Sequence, residues 1–250
     1  MQKKITWIWI AFLPLLSLAQ SKQPNFFSVT VSGGITGAGI STTKKLQPAN
    51  ASYNVRFNFG AHAWYNYALG NDWDLQLGMG YVDAGFRRQQ KNIQYLDPTY
   101  PGIGSGMIID KTNTRKDINY DYRFHYLQVP VLFNYKVAKS KDFKSNYMLT
   151  GGINVDVLLK HRLTARLENF TVDGEKKYQF DSTGMKANVI TASLSIGARL
   201  EHKLDKSTTL IIHPVFNYYP LSVTNSDIKI NPYTLMVHAG VVINIASKKQ

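Results

Sequence analysis

Apolar residues recur at every second position through eight stretches of this 250-residue chain. Such alternation predicts strands with one face in an apolar environment and the other in a polar one. The second stretch shows it best. Val55, Phe57, Phe59, Ala61, Ala63, Tyr65, Tyr67 and Leu69 share one face, and Arg56, Asn58, Gly60, His62 and Asn66 share the other. Gly70-Asn71-Asp72 then reads as a tight turn into a third strand, whose Trp73, Leu75, Leu77, Met79 and Tyr81 continue the apolar row.

Later stretches repeat the design. Tyr147, Leu149, Ile153, Val155, Val157 and Leu159 oppose Thr150, Gly152, Asn154 and Asp156; Ile190 to Leu200 and Tyr233 to Ile245 alternate in the same way. The first strand, Asn25 to Gly33, and the seventh, Thr208 to Leu221, are weaker, and Pro214 and Pro220 argue for a bulge or loosened edge in the seventh. Two strands change phase. From Tyr120 to Tyr126 the apolar residues sit on even positions, and from Leu127 to Tyr135 on odd ones, so a bulge is expected between Tyr126 and Pro130. The alternative is that the outer half of this strand leaves the membrane as a rim. A similar slip is expected near Tyr81 and Val82.

The connections alternate long and short, roughly 20, 3, 29, 8, 25, 4 and 10 residues, which is the parity of an outer-membrane barrel with tight periplasmic turns. Each alternating run exceeds the span a tilted strand needs to cross the hydrocarbon. The fold class expected is therefore all-β: an eight-stranded antiparallel up-and-down transmembrane barrel. No segment after the first twenty residues is long and apolar enough for a membrane helix. Aromatic residues near strand ends (Tyr65, Tyr67, Trp73, Tyr135, Tyr147, Tyr218, Tyr219, Tyr233) fit interfacial girdles.

The amino terminus predicts export. Lys3 and Lys4 precede an apolar run from Ile5 to Leu18, and Ser17-Leu18-Ala19 supplies small residues for cleavage before Gln20. Residues 1–19 are read as a signal peptide and 20–250 as one barrel domain in the outer membrane. The chain has no cysteine, which excludes a lipoprotein anchor and a disulfide framework. Its net charge of +13 would suggest nucleic acid in a soluble protein. Here the charges are spread over loops and turns (Arg87, Arg88, Lys91; Lys111, Arg115, Lys116; Lys139, Lys141, Lys144), where they are solvated or meet lipid phosphates, and no nucleic-acid partner is expected.

Three segments carry a family resemblance: Leu77-Gly-Met-Gly-Tyr-Val-Asp-Ala-Gly-Phe86, Tyr126-Leu-Gln-Val-Pro-Val-Leu-Phe-Asn-Tyr135 and Tyr147-Met-Leu-Thr-Gly-Gly-Ile-Asn-Val155. They resemble the PorT-like outer-membrane β-barrel family of Bacteroidota. The resemblance implies an eight-stranded outer-membrane barrel; some members serve type IX secretion and gliding.

Eight strands leave an interior that side chains fill. The lumen network expected is Arg56, His62, Arg123, Asn154, Asp156, Arg199, Glu201 and His238, with Asp156 and Glu201 paired to Arg199, Arg56 or Arg123 because unpaired buried charge is costly. The lipid-facing set is Phe57, Phe59, Leu75, Leu77, Leu194, Ile196, Leu235 and Val237. Catalytic candidates are sparse. Asp121, Arg123 and His125 share a face, as an inner-rim network or as the start of a lipid-modifying site, but no nucleophile motif accompanies them. Gly34-Ile-Thr-Gly-Ala-Gly39 reads as a surface loop, and no metal or cofactor motif is present. The function expected is a non-enzymatic, monomeric barrel with a filled lumen, in contact with outer-membrane lipid or lipopolysaccharide and with other envelope or secretion proteins through its long loops. Alternatives are an accessory role in type IX secretion, a small transport conduit or a lipid-modifying enzyme; a soluble periplasmic binding barrel is a further one.

Overall fold

The computed structural model describes residues 26–42, 51–91, 117–140, 144–168, 176–180, 187–205, 208–225 and 228–243. The signal-peptide residues, most of the second long loop (Tyr95 to Gly106, Lys111, Arg115, Lys116), Lys141 and Ile245 lie outside them. The strands are β1 (Phe26–Thr42), β2 (Ala51–Ala68), β3 (Trp73–Gln90), β4 (Asp117–Lys139), β5 (Ser145–Glu168), β6 (Lys177–Phe180), β7 (Ile190–Lys203), β8 (Thr208–Tyr218) and β9 (Ile228–Ile243). All pair antiparallel, and eight of them close a ring: β1 joins β9 from Phe27↔Ile243 to Thr42↔Ile228, and β4 joins β5. Closure removes the unpaired edges that an open sheet would expose. The four-residue β6 is not one of the eight; among the described residues it pairs with the upper part of β5 (Ala165↔Tyr178), above the stretch that pairs with β7.

Short connections at 69–72, 140–144 and 204–207 gather at one end, and the long ones at the other. The first long connection is shorter than expected, 43–50, because β1 continues through Gly34-Ile-Thr-Gly-Ala-Gly39 to Thr42. That glycine run is strand rather than surface loop. Packing explains it: a Cβ at Gly37 would lie 2.5 Å from the ring of Tyr233 on β9, so the bare position makes room for an aromatic laid across it. In β8, Pro214 interrupts the ladder to β7 between Gly197↔Val215 and Leu200↔Ile212, but the register is the same on both sides, so there is no bulge.

In the short-loop half, alternation is as the sequence implies. Phe57, Phe59, Leu77, Leu194, Ile196, Leu235 and Val237 stand exposed on the outer wall, with Leu75 half-buried in the same row. Polar residues point inward. Trp73, Tyr135, Tyr147, Tyr218 and Tyr233 are exposed near strand ends, whereas Tyr219 is 1% exposed and belongs to the interior rather than to a girdle.

The long-loop half inverts this arrangement. Neither β3 nor β4 slips: their register is unbroken from Trp73↔Tyr135 to Gln90↔Ile118, and β4 buries every even position from Ile118 to Asn134. The expected bulge in β4 and slip in β3 are therefore replaced by a change of environment, the rim alternative weighed above. Val82, Ala84, Phe86, Ile118, Tyr120, Tyr122, Phe124 and Tyr126 form a buried apolar core inside the ring. Tyr219 and Val223 of the β8–β9 connection, with Ile230 of β9, close it from the opposite wall. Apart from an extra residue at Val137, near the short-loop end of β4, the irregularities fall on the neighbours. β2 shifts register against β3 between Val55 and Gly60, and β5 against β4 where His125↔Lys160 is followed by Tyr126↔Leu158, leaving Leu159 as the extra residue. That single insertion turns Leu163, Ala165 and Leu167 inward onto the apolar core.

Candidate functional site

The lumen of the short-loop half holds polar side chains, many of them hydrogen-bonded to one another across strands. Asn154 donates through Nδ2 to Ser193 Oγ at 2.8 Å and Ser195 Oγ at 2.7 Å, and Asn217 Nδ2 donates to Thr234 Oγ1 at 3.0 Å. Gln128 bridges two strands: its Nε2 donates to Asp156 Oδ1 at 2.7 Å, and its Oε1 lies 3.0 Å from His62 Nε2. Asp156 also accepts from Ser193 Oγ at 3.3 Å. Amides and hydroxyls thus hold this carboxylate where an arginine was expected. His62 stacks on Trp64 with ring centroids 5.0 Å apart, and His238 and His213 continue the aromatic line at 5.1 and 5.8 Å.

One ion pair sits lower, toward the short loops. Arg199 Nη2 lies 2.7 Å from Glu201 Oε1, with both side chains under a tenth exposed. Arg199 Nη1 donates to Asn66 Oδ1 at 2.8 Å, and Asn146 Nδ2 donates to Glu201 Oε2 at 3.3 Å. Beside it Thr150 Oγ1 donates to Asn134 Oδ1 at 2.7 Å, and Asn134 Nδ2 to Gln76 Oε1 at 3.2 Å. Layers of this kind tie strands together across the ring.

Of the expected lumen residues, His62, Asn154, Asp156, Arg199, Glu201 and His238 lie inside the ring, all at 7% exposure or less. Arg56 and Arg123 do not. Both sit on the outer wall of the long-loop half, on the side away from the apolar core. For Arg123 the cause is the unbroken phase of β4, which turns its odd positions outward. For Arg56 it is the register shift in β2. The Arg56 guanidinium lies beside the bare Cα of Gly85 on β3, where a Cβ would come within 2.9 Å of Nη1. From there it reaches Asp83 at 3.2 Å and Asp121 at 3.4 Å, and Arg123 meets Asp121 at 3.1 Å. His125 completes the row, with Nδ1 2.5 Å from Tyr81 Oη and 4.0 Å from Asp83. The Asp121, Arg123 and His125 trio is thus an outer-wall cluster rather than an inner-rim one.

Sequence reasoning missed Gln128, Ser193, Asn217 and His213 as members of the lumen network. Three of these sit in register with polar residues already recognised: Gln128↔Asp156, Asn154↔Ser193 and His213↔His238. Cross-strand pairing, once known, is the signal that finds them. No metal-holding group of histidines and carboxylates occurs among the described residues.

A family model described as outer membrane protein beta-barrel domain matches residues 18–246. Solved structures similar to this chain include the attachment invasion locus protein Ail of Yersinia pestis, 11% identical, covering 86% of this chain and 98% of that one at a TM-score of 0.35. The outer membrane protein OprG of Pseudomonas aeruginosa is 11% identical, covering 90% and 99% at 0.39. The outer membrane protease OmpT of Escherichia coli is 11% identical, covering 88% and 96% at 0.40. No curated protein matches the chain.

Proposed function

We propose a closed, non-enzymatic role in the cell envelope for a chain that belongs to the outer membrane protein β-barrel domain family and resides in the outer membrane. The observation that carries this reading is the filled interior. A hydrogen-bonded polar layer around Asn154, Gln128 and Asp156 and a buried apolar cluster with Tyr122, Phe124, Tyr126 and Tyr219 occupy the interior among the described residues, which supports a closed lumen. Eight-stranded barrels have an interior only wide enough for side chains, in keeping with this. The protein then works through its outer end, where long connections and a polar wall meet lipid and other envelope proteins, and it does so as a monomer. In planar bilayers the refolded protein is expected to give no unitary current at 100 mV in molar salt, a potential worth about 2.3 kcal/mol per charge. Steady single-channel steps would overturn the closed reading in favour of a conduit.

Within the family we place the chain with PorT-like barrels, on the three segments that carry that resemblance, and infer an accessory role beside type IX secretion. Deleting the gene is expected to reduce export of surface proteins that bear the C-terminal secretion signal. Normal export in the deletion strain would end this part of the reading while leaving the closed barrel intact.

A further inference from the structure

We propose that a polar cleft on the outer wall, at the top of β3, β4 and β5, binds the saccharide of an outer-leaflet glycolipid. The inference rests on the outer-membrane placement, not on whether the lumen conducts. The cleft has a volume of about 380 Å³, within the roughly 300–1,000 Å³ of small-molecule sites. Asn54 of β2, Arg87 and Gln89 of β3, Asn119 and Asp121 of β4 and Glu168 of β5 are among the residues that line it. A barrel wall is ordinarily convex, and the strand register accounts for a hollow here. Among the described residues β1 and β2 stop pairing above Thr36↔Arg56, so the upper end of β2 follows β3 alone. Just below the cleft β2 shifts register between Val55 and Gly60, and β5 carries its extra residue at Leu159. Bulged strands bend and twist more strongly. The extra residue in β5 also puts Glu168 on the outward phase shared by Asn119 and Asp121.

The chemistry of the lining points to hydroxyl groups. A sugar hydroxyl both donates and accepts, so its site needs both kinds of partner within reach. The amides of Gln89 and Asn119 supply each, Asp121 and Glu168 accept, and Arg87 donates. A simple anion or cation would meet lining groups of its own sign. The acceptors are held in place beforehand: Asp121 is engaged by Arg56 at 3.4 Å and by Arg123 at 3.1 Å, and Asn119 Nδ2 donates to Glu168 Oε1. Each carboxylate keeps lone pairs for a ligand, and groups fixed in advance lose less freedom on binding. A protein partner would instead need apolar anchors at the centre of its contact. The one aromatic residue of the lining, Tyr120, is 3% exposed, with the Arg88 guanidinium 5.7 Å from its ring centre.

Height selects the source of the saccharide. The outward row of β4 is apolar up to Leu127 and then reads His125, Arg123, Asp121 and Asn119. At roughly 3.3 Å per residue and a tilt of about 40°, Asn119 stands about 20 Å above Leu127. The headgroup layer adds only about 5–8 Å to each side of the hydrocarbon. Lipid phosphates therefore lie below the cleft, and a glycolipid reaches it with its sugars.

The test uses the full-length mature protein in neutral-lipid nanodiscs, with native mass spectrometry to count retained glycolipid. The probes are rough lipopolysaccharide and lipid A, which lacks the core saccharide. Wild type is expected to retain rough lipopolysaccharide about tenfold better than lipid A, the effect of one or two net hydrogen bonds. Gln89→Ala/Asn119→Ala, which alters no charge, is expected to lose most of that preference, and Gln89→Ala alone a smaller part of it. Lys139→Gln at the short-loop end keeps it. If the double variant does not fold, the single variant decides. Free core oligosaccharide is expected to displace the glycolipid only at large excess, because an anchored saccharide acts at a raised local concentration. Equal retention of the two probes, or an unchanged preference in the Gln89 variants, would overturn the proposal. So would displacement at equal concentration by free oligosaccharide, which assigns the cleft to soluble glycans, or by a polar peptide, which assigns it to a protein partner. The bilayer recordings read the closed lumen separately.

Discussion

Replacing Arg199 with alanine is expected to destabilise the folded barrel by about 3–5 kcal/mol, because it leaves Glu201 charged and uncompensated inside the ring. The side chains are 0% and 9% exposed at 2.7 Å separation, so solvent screens the pair little. Arg199 also donates to Asn66 Oδ1, an acceptor that loses its partner in the variant. Urea unfolding in phospholipid vesicles, followed by tryptophan fluorescence, measures the change. The paired substitution Arg199→Met/Glu201→Gln separates the two contributions. It removes both charges, keeps the volume and is expected to recover most of the loss, since an ion pair replaced by neutral groups of similar size is often close to neutral in stability. An Arg199→Ala protein that melts as high as wild type would show that the pair does not hold the lower lumen together.

The second large effect lies in the opposite half. Phe86→Ala is expected to cost about 3–5 kcal/mol, the usual range for emptying a buried aromatic site. Phe86 is 1% exposed and stacks on Tyr122 with centroids 4.6 Å apart and planes 11° from parallel. The matched control is Phe57→Ala on the outer wall, where the ring is 70% exposed and leaves no internal cavity when truncated. A difference between the two variants in the same unfolding assay distinguishes an apolar core from an apolar exterior. Were the upper strand in the phase first expected, Phe86 and Tyr122 would both face outward and the two truncations would have similar effects.

These halves also show where reading the sequence succeeds and stops. Alternation in β2, β7 and β9 assigned Phe57, Leu194 and Val237 to the outside, and the ring places them there. In β4 the same kind of reading found the change at Tyr126–Leu127 but favoured a bulge. Period-2 spacing reports that two faces differ, not which one meets lipid, protein or water. Both Tyr122 and Val131 obey the rule, one pointing into a buried apolar core and the other away from it. The glycine run in β1 was opaque for a related reason: whether Gly37 is loop or strand depends on Tyr233, nearly two hundred residues away in the chain but directly opposite on β9.

By itself, then, the sequence determined the number of crossings, the parity of the turns and the outer row of the membrane half, because these follow from local spacing and from the length a strand needs to span hydrocarbon. Tertiary structure alone decided the inversion above the belt, the neutral hold on Asp156 by Gln128 and Ser193, and the outward placement of Arg56 and Arg123. Arg123 and the inversion in β3 and β4 follow from a register kept unbroken through a change of surroundings. One shift between Val55 and Gly60 turns Arg56 outward, and one extra residue at Leu159 turns the upper part of β5 to the other face. No local pattern of residue types records which strand absorbs that step.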